Sequence, residues 1–219
     1  MLTYETIRKD EAIQTYITRA DESLAALGFT EHSFPHVTKV ADIAAYLLEK
    51  LEFDDRQVEL ARIAGYLHDI GNIVNRVDHS QSGAVMAFRI LDRMDFPPEE
   101  IAAIVSAIGN HDEGTGVPVS PLAAALIIAD KSDVRRSRVR SKEDIYSDIH
   151  DRVNYAVTHS SLEIFPEEGQ ILLSLTIDPE ISSMMEYFEI FTKRMLLCRK
   201  AAQALGCAFR LNINGQIVA

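Results

Sequence analysis

The sequence predicts a mainly α-helical protein, a helical bundle with a small C-terminal α+β segment made of an antiparallel sheet and one long helix. Apolar residues recur at steps of three and four through most of the first 130 positions. Helix start and stop signals divide that region, and the pattern changes after about Tyr155. We therefore expect a helical domain over residues 1–154 and a strand-strand-helix-strand appendage over residues 155–219.

The first three helices are predicted from periodicity and from their terminal residues. One helix should cover Tyr4–Leu27 and end at Gly28, since glycine commonly follows the last helical residue. A second helix should begin near His36, directly after a proline. A third should begin at Asp54, a favourable N-cap residue, and run into His68. Two histidines thus fall at predicted helix ends.

Three further helices complete the predicted bundle. One begins at His79 and stops at the Phe96-Pro97-Pro98 break. The next starts at Glu99, where acidic residues favour a helix N-terminus, and ends near His111. The segment Leu122–Asp130 is apolar all round, which predicts a buried helix with Asp130 at its exit.

The C-terminal segment alternates polar and apolar residues before a long periodic run. Strands are predicted at Leu162–Phe165 and Ile171–Asp178, joined by a turn. A helix over Met184–Leu205 follows, and Cys207–Ile213 with Gln216–Ala219 should complete the sheet.

Composition limits the function. The chain has 219 residues and a formal net charge of -11, so its average surface repels nucleic acid and anionic lipid. No apolar run approaches the roughly 18 residues that a membrane span needs. The first residues lack the basic and apolar regions of a signal peptide. We expect a cytoplasmic protein without membrane association or general nucleic-acid binding.

Histidines and aspartates at predicted helix ends form a candidate metal site. They are His36, His68, Asp69, His79, His111 and Asp130. Imidazole and carboxylate together suit divalent Mn, Fe, Co, Ni or Zn. Six ligands exceed what one open catalytic ion usually takes and fit two ions that share a bridging carboxylate, which suits hydrolysis at a phosphoryl group. His32 competes with His36, and a buried histidine beside a capping aspartate is the alternative interpretation of the His68-Asp69 pair.

The ordered ligands resemble the HD superfamily of metal-dependent phosphohydrolases. The match places His36, His68-Asp69 and Asp130 in the family order of His, His-Asp and Asp, over roughly Phe34–Arg140. His79 and His111 resemble the extra histidines of binuclear members, such as bacterial diadenosine-tetraphosphate hydrolases and HD-GYP cyclic-dinucleotide phosphodiesterases. The resemblance implies an HD-type helical bundle in which Asp69 bridges two ions and His68 and Asp69 are catalytic. Asparagine stands at position 72, where many members have lysine, and the Gly-Tyr-Pro segment is absent.

The resemblance implies hydrolysis of a phosphoester or phosphoanhydride in a nucleotide or another small phosphorylated metabolite. The alternative is a non-catalytic regulatory module that binds metal or nucleotide. Candidate contacts to substrate phosphate are Asn72, Lys131, Arg135, Arg136 and Arg138. The arginines could instead pair with Glu143 and Asp144. The C-terminal segment could cover the site, mediate a homodimer or bind a regulator.

Overall fold

The computed structural model describes residues 2–140 and 145–218, and within them the chain forms nine α-helices and four β-strands. The helices are α1 Tyr4–Lys9, α2 Glu11–Ala26, α3 Phe34–Lys50, α4 Asp55–Leu67, α5 His79–Arg93, α6 Pro98–Gly109, α7 Pro121–Lys131, α8 Ile149–Ala156 and α9 Met184–Ala204. The strands are β1 Val157–Phe165, β2 Gln170–Ile177, β3 Ala208–Ile213 and β4 Gln216–Ile217. Short 3-10 turns lie at Ile70–Ile73, Arg136–Arg138 and Pro166–Glu168. The predicted fold class, mainly α with a small C-terminal sheet and one long helix, is confirmed.

The predicted first helix is two helices. Asp10 has an extended backbone, and its side chain accepts a hydrogen bond from the Ile13 amide, so it caps α2 and separates it from α1. The prediction of one continuous helix is wrong here because the apolar residues keep a helical spacing across the break. Gly28 follows α2 with a φ of 82°, as predicted for a residue after a helix terminus.

Close packing of α3 against α4 fixes the frame of the helical part. A Cβ atom at Gly65 would lie 2.6 Å from the Ala41 Cα atom, so only glycine permits this approach. Helix α7 lies at the centre and packs against α3, α4, α6 and α9. Its residues 122–129 are all buried, which confirms the predicted buried helix and places Asp130 at the edge of the core.

The C-terminal sheet is mixed, so the prediction of an antiparallel sheet is wrong in one pairing. The strand order is β1-β2-β3-β4, with β2 parallel to β3 and the other two pairs antiparallel. The connection between β2 and β3 contains α9, whose 21 residues span about 30 Å. A helix of that length returns the chain to the edge where β2 began, and β3 therefore runs parallel to β2.

The two predicted parts share one apolar core. Helix α9 packs on α7, and the buried cluster includes Ile128 of α7, Tyr187 and Phe191 of α9, and Leu211 of β3. The division into residues 1–154 and 155–219 stays a prediction. Within residues 2–140 and 145–218, no helix combines the length and apolar character needed to cross a membrane.

Candidate metal centre

The end of α4 brings His68 and Asp69 to the same place. The helix ends at Leu67, His68 keeps a right-handed helical backbone, and Asp69 departs from it with φ -99° and ψ 2°. Adjacent helical residues point about 100° apart, so this departure lets both side chains face one volume.

Gly71 brings α5 against the end of α4. The sequence suggests a sharp backbone turn at this glycine, but Gly71 lies in a 3-10 turn and is not among the residues with positive φ. The reason for glycine is close packing, because a Cβ atom here would lie 2.0 Å from the His79 carbonyl oxygen and 2.4 Å from the Gly83 nitrogen. His79, the first residue of α5, consequently lies beside Asp69.

Side chains from α3, the end of α4 and α7 form a first group, called site 1. Its members are His36, His68, Asp130 and the Oδ2 atom of Asp69. The His36 Nε2 atom lies 3.6 Å from Asp69 Oδ2 and 3.5 Å from Asp130 Oδ1. The corresponding distances from His68 Nε2 are 3.3 and 3.7 Å. At these distances the histidine nitrogens and carboxylate oxygens of site 1 leave room for one ion between them.

The other oxygen of Asp69 faces a second group, called site 2: His79, His111 and Oδ1 of Asp69. This oxygen lies 3.5 Å from His79 Nε2 and 3.9 Å from His111 Nε2. The two Nε2 atoms are 3.2 Å apart. Asp69 thus lies between the two groups with one oxygen directed to each, and all six sequence-predicted ligands are brought together.

The chemistry of the donor atoms fits divalent metal ions. Each of the four histidines uses Nδ1 to contact an oxygen: Asp133 Oδ2 at 2.8 Å for His36, and the carbonyls of Gly65 at 2.7 Å for His68, Arg76 at 3.1 Å for His79 and Ile108 at 2.6 Å for His111. A carbonyl only accepts, so Nδ1 donates and the Nε2 lone pair of the neutral ring is directed to the centre. The Nε2 atoms of His36 and His68 are buried and have no hydrogen-bond partner within the described chain. A metal ion would satisfy these atoms.

His32 lies beside His36 but outside the ligand groups. Its Nδ1 lies 2.6 Å from the Thr30 carbonyl oxygen, and its ring packs edge-on against the His36 ring. Within the described residues, His32 is absent from the triads whose ligand atoms all lie within 4.8 Å of one another, which include His36-His68-Asp130 and His68-Asp69-His111. Of the two histidines left open by the sequence, His36 is the one in the cluster.

Asp133 is a residue of the site that the sequence reasoning missed. It is buried, accepts a hydrogen bond from His36 Nδ1, and pairs with Lys39 at 2.9 Å and Arg135 at 2.9 Å. A carboxylate behind a ligating imidazole fixes the ring and strengthens its basicity. Its only sequence signal was a second aspartate three residues after Asp130.

A chain of ion pairs links Asp130 to the C-terminal helix. The buried Lys131 ammonium lies 2.7 Å from Asp130 Oδ2 and 2.6 Å from Glu113 Oε2. Arg194 of α9 contacts the other oxygen of Glu113 at 3.1 Å. Asp130 therefore turns Oδ1 to site 1 while Lys131 holds Oδ2. Lys131, a candidate for substrate contact, has both carboxylates as partners.

Asn72 supports Asp69. Its side-chain amide donates to the Asp69 backbone oxygen at 2.9 Å and to Asp69 Oδ1 at 3.0 Å. Asn72 is buried, and its own side-chain oxygen accepts from Arg76 at 3.3 Å. The structure thus places this candidate substrate contact directly behind the shared carboxylate.

The three arginines proposed as substrate contacts have partners within the protein. Arg135 pairs with Asp133 and, at 3.3 Å, with Glu31. Arg138 is buried and donates to the backbone oxygens of Glu31 and Asp133, both at 2.9 Å. Arg136 donates to the Tyr155 backbone oxygen and lies over the Tyr155 ring. Glu143 and Asp144, the partners suggested by the sequence, lie outside the described residues.

Electrostatics in site 1 favour protonated imidazoles when no metal is bound. Burial lowers the pKa of His68, but Asp69 and Asp130 outweigh it and raise the pKa to about 10. Burial and Arg138 lower the pKa of His36, yet the contacting carboxylates raise it above its ordinary value. Without metal, protons neutralise part of the negative charge in this group.

Site 2 and the carboxylates behave differently. Burial holds the pKa of His111 well below its ordinary value and also lowers that of His79. Burial alone would raise the pKa of both aspartates, but His68 keeps the Asp69 pKa well below its usual range and Lys131 does the same for Asp130. Deprotonated carboxylates and neutral imidazoles are the forms that ligate metal.

Metal binding at pH 8 is expected to release about one proton or more per chain, because His68 must give up the proton that its raised pKa retains. The metal affinity should rise with pH toward the His68 pKa, where fewer protons compete for Nε2. Titration calorimetry of manganese into chelator-treated protein, in buffers of different ionisation enthalpy, measures the release. Equal heats in all buffers would contradict this protonation state.

Replacing Arg138 by alanine is expected to lower the free energy of unfolding by about 3 kcal/mol, because it leaves buried Asp133 without one of its cations. Arg135→Ala also removes a cation from Asp133, but the Arg135 side chain is partly exposed, so water can replace it and the cost should be smaller, about 1 kcal/mol. Urea unfolding measures both changes. Contact with substrate predicts instead a fall of roughly 10- to 100-fold in kcat/KM of the folded variant. Parental kcat/KM in Arg135→Ala, Arg138→Ala and the corresponding Arg136→Ala would assign these residues to structure.

Comparison with known proteins gives three findings. A sequence model of the HD domain matches residues 34–156, which contain all six residues of sites 1 and 2. Uncharacterized protein MJ1020 of Methanocaldococcus jannaschii is 26% identical over 163 residues, covering 64% of this chain and 62% of the relative, which is less than two thirds of its length. A crystal structure of a predicted HD superfamily hydrolase from an uncultured Thermotogales bacterium is similar, with a TM-score of 0.45 and 26% identity over 57% of this chain and 67% of that chain.

Proposed function

Because this chain belongs to the HD domain family of metal-dependent phosphohydrolases, we propose that it hydrolyses phosphoester or phosphoanhydride bonds of a nucleotide or another small phosphorylated metabolite. The observation that carries the proposal is the position of Asp69. Its two oxygens face two different histidine groups, Oδ2 toward His36 and His68 and Oδ1 toward His79 and His111.

Two divalent transition-metal ions would be held by these residues. His36, His68 and Asp130 would ligate one ion, His79 and His111 the other, and Asp69 would bridge them. When bound, such ions lower the pKa of water and neutralise negative charge on a phosphoryl group. Mn, Fe, Co, Ni and Zn all suit a set of imidazoles and carboxylates.

The residues around the ligands hold them in position. Asn72 fixes the Asp69 carboxylate, Asp133 fixes the His36 ring, and Lys131 fixes Asp130 through its Oδ2 atom. Removing such a supporting contact commonly lowers metal affinity or activity by roughly 10- to 100-fold. We therefore assign His68 and Asp69 to catalysis as metal ligands. For Asn72 and Lys131 we favour a role in positioning the Asp69 and Asp130 carboxylates over direct contact with substrate.

The enzyme is favoured over a regulatory module that binds without turnover. A module of that kind needs only affinity, whereas this chain keeps six ligand residues with a shared carboxylate between two groups. A nucleotide as the phosphorylated compound, a cytoplasmic location and a homodimer remain predictions of the sequence.

Metal analysis of protein purified without chelator, followed by a screen of phosphorylated metabolites with manganese, tests the proposal. We expect close to two transition-metal ions per chain and release of inorganic phosphate or a nucleoside monophosphate from at least one compound class. Hydrolysis should stop with chelator and return with manganese. A fully metal-loaded protein that binds a nucleotide but never cleaves it would establish the regulatory module instead.

A further inference from the structure

Arg76 carries a positive charge that no carboxylate pairs with in residues 2–140 and 145–218. It lies in the segment between the 3-10 turn Ile70–Ile73 and α5, three residues before His79. Its backbone oxygen accepts a hydrogen bond from His79 Nδ1, and its guanidinium donates to Asn72 Oδ1 at 3.3 Å. Two hydrogen bonds, through the Asn72 side chain, therefore connect this cation to Asp69 Oδ1.

The other cations close to the centre are already neutralised. Lys39 and Arg138 face Asp133, Lys131 lies between Asp130 and Glu113, and Arg135 and Arg194 also have carboxylate partners. A cation that is already paired attracts an added anion less strongly, or exchanges its partner for it. Arg76 needs no such exchange, which distinguishes it from Arg135, Arg138 and Arg140. Arg136 is held instead by the Tyr155 carbonyl oxygen and ring.

The described residues around Arg76 leave most of its donors free. A guanidinium has five N–H donors in a rigid fork, and Arg76 uses one of them in a long bond to a neutral amide oxygen. The guanidinium lies over the Phe29 ring, 5.6 Å from its centroid, which holds the side chain without neutralising it. Such a fork binds a phosphoryl group through two parallel hydrogen bonds.

We propose that Arg76 binds a phosphoryl group of the substrate on the side of site 2, next to His79 and Asp69. This assignment rests on the proposed function, because it names the residue that recognises the anion whose bond is cleaved. The metals alone would attract any anion, whereas Arg76 requires acceptor oxygens within reach of the segment before α5. The residue is therefore a determinant of specificity for phosphorylated compounds.

Inorganic phosphate binding to the manganese-loaded protein tests the assignment. Arg76→Met keeps an unbranched stem over Phe29 and removes the fork, so the Kd for phosphate should rise about 10- to 100-fold while the metal content stays parental. Arg76→Lys should recover part of the affinity, since it restores the charge without the fork. Arg89→Met on α5 is the matched control, because the Arg89 side chain is 71% exposed and its ion pair within residues 2–140 and 145–218 is with Asp92.

A purely structural role for Arg76 predicts a lower Tm with an unchanged phosphate Kd, and that result would overturn the assignment. Absence of phosphate binding by the parent would overturn it too. The proposed function is tested separately by turnover. If the parent cleaves no phosphorylated compound but Arg76→Met still weakens phosphate binding, the function fails and the Arg76 assignment stands. If the parent is active and Arg76→Met leaves Kd and KM unchanged, only the Arg76 assignment fails.

Discussion

Replacing Asp69 by alanine is expected to abolish hydrolysis while leaving the chain folded. Among residues 2–140 and 145–218, Asp69 is the one with an oxygen directed to each group, Oδ2 to site 1 and Oδ1 to site 2. Its removal would leave the two ions of the proposed centre close together with less negative charge between them. Metal ions supply several kcal/mol of stabilisation to the transition state, so losing their arrangement should lower kcat by roughly 1,000-fold or more.

Metal content, circular dichroism and kcat of Asp69→Ala give the measurement. Asp42→Ala is the matched control, because Asp42 is an exposed aspartate of α3 whose ion pair with Arg62 lies away from the centre. The control should keep parental metal content and rate. Turnover by a folded Asp69→Ala variant near the parental rate would show that the shared carboxylate is not part of the catalytic machinery.

His111→Ala is expected to reduce the metal content from two ions to one per chain. The substitution leaves site 2 with His79 and one oxygen of Asp69, too few ligands to hold a transition metal tightly. Site 1 keeps His36, His68, Asp130 and the other oxygen of Asp69. Since a phosphoryl group would then face one cation, kcat should fall on the order of 1,000-fold.

Inductively coupled plasma analysis and kcat of the same preparation measure this effect, with His150→Ala as control because His150 is an exposed histidine of α8. A parent that holds one ion or none when fully folded would leave only the four-ligand core. His79 and His111 would then be buried histidines at helix ends, and His111→Ala should leave the metal content unchanged.

The sequence could predict the helix ends and the six ligand candidates because both depend on local patterns. Asp54 caps the start of α4, and prolines 97 and 98 mark the start of α6. From these starts the apolar spacing runs to His68 and to His111, so the helix ends that carry them can be located without tertiary contacts. The spacing of apolar residues likewise predicts the buried α7 and hence Asp130 at its exit.

The supporting residues could not be predicted because their partners are distant in sequence. Asp133 meets His36 across 97 residues, and Arg194 meets Glu113 across 81 residues. No local spacing indicates such pairs. The dense arginine cluster suggested an anion site from composition alone, whereas its partners Glu31, Asp133 and the Tyr155 carbonyl become visible only in the fold. Parallel pairing of β2 with β3 depends in the same way on how α9 crosses the sheet.

The ion pair between Arg194 and Glu113 affects the order in which the site is completed during protein synthesis. A chain leaves the ribosome from its N-terminus, and the parts made first begin to fold first. All six ligand candidates are therefore synthesised before Arg194, which belongs to α9. Until α9 docks on α7, Glu113 lacks its bond to Arg194. Lys131, which holds Asp130, then faces a carboxylate that is less fully neutralised. The network around the metal centre is thus completed only by a helix that is made after all six ligand candidates, and a nascent or truncated chain without α9 carries the ligands but not the completed network.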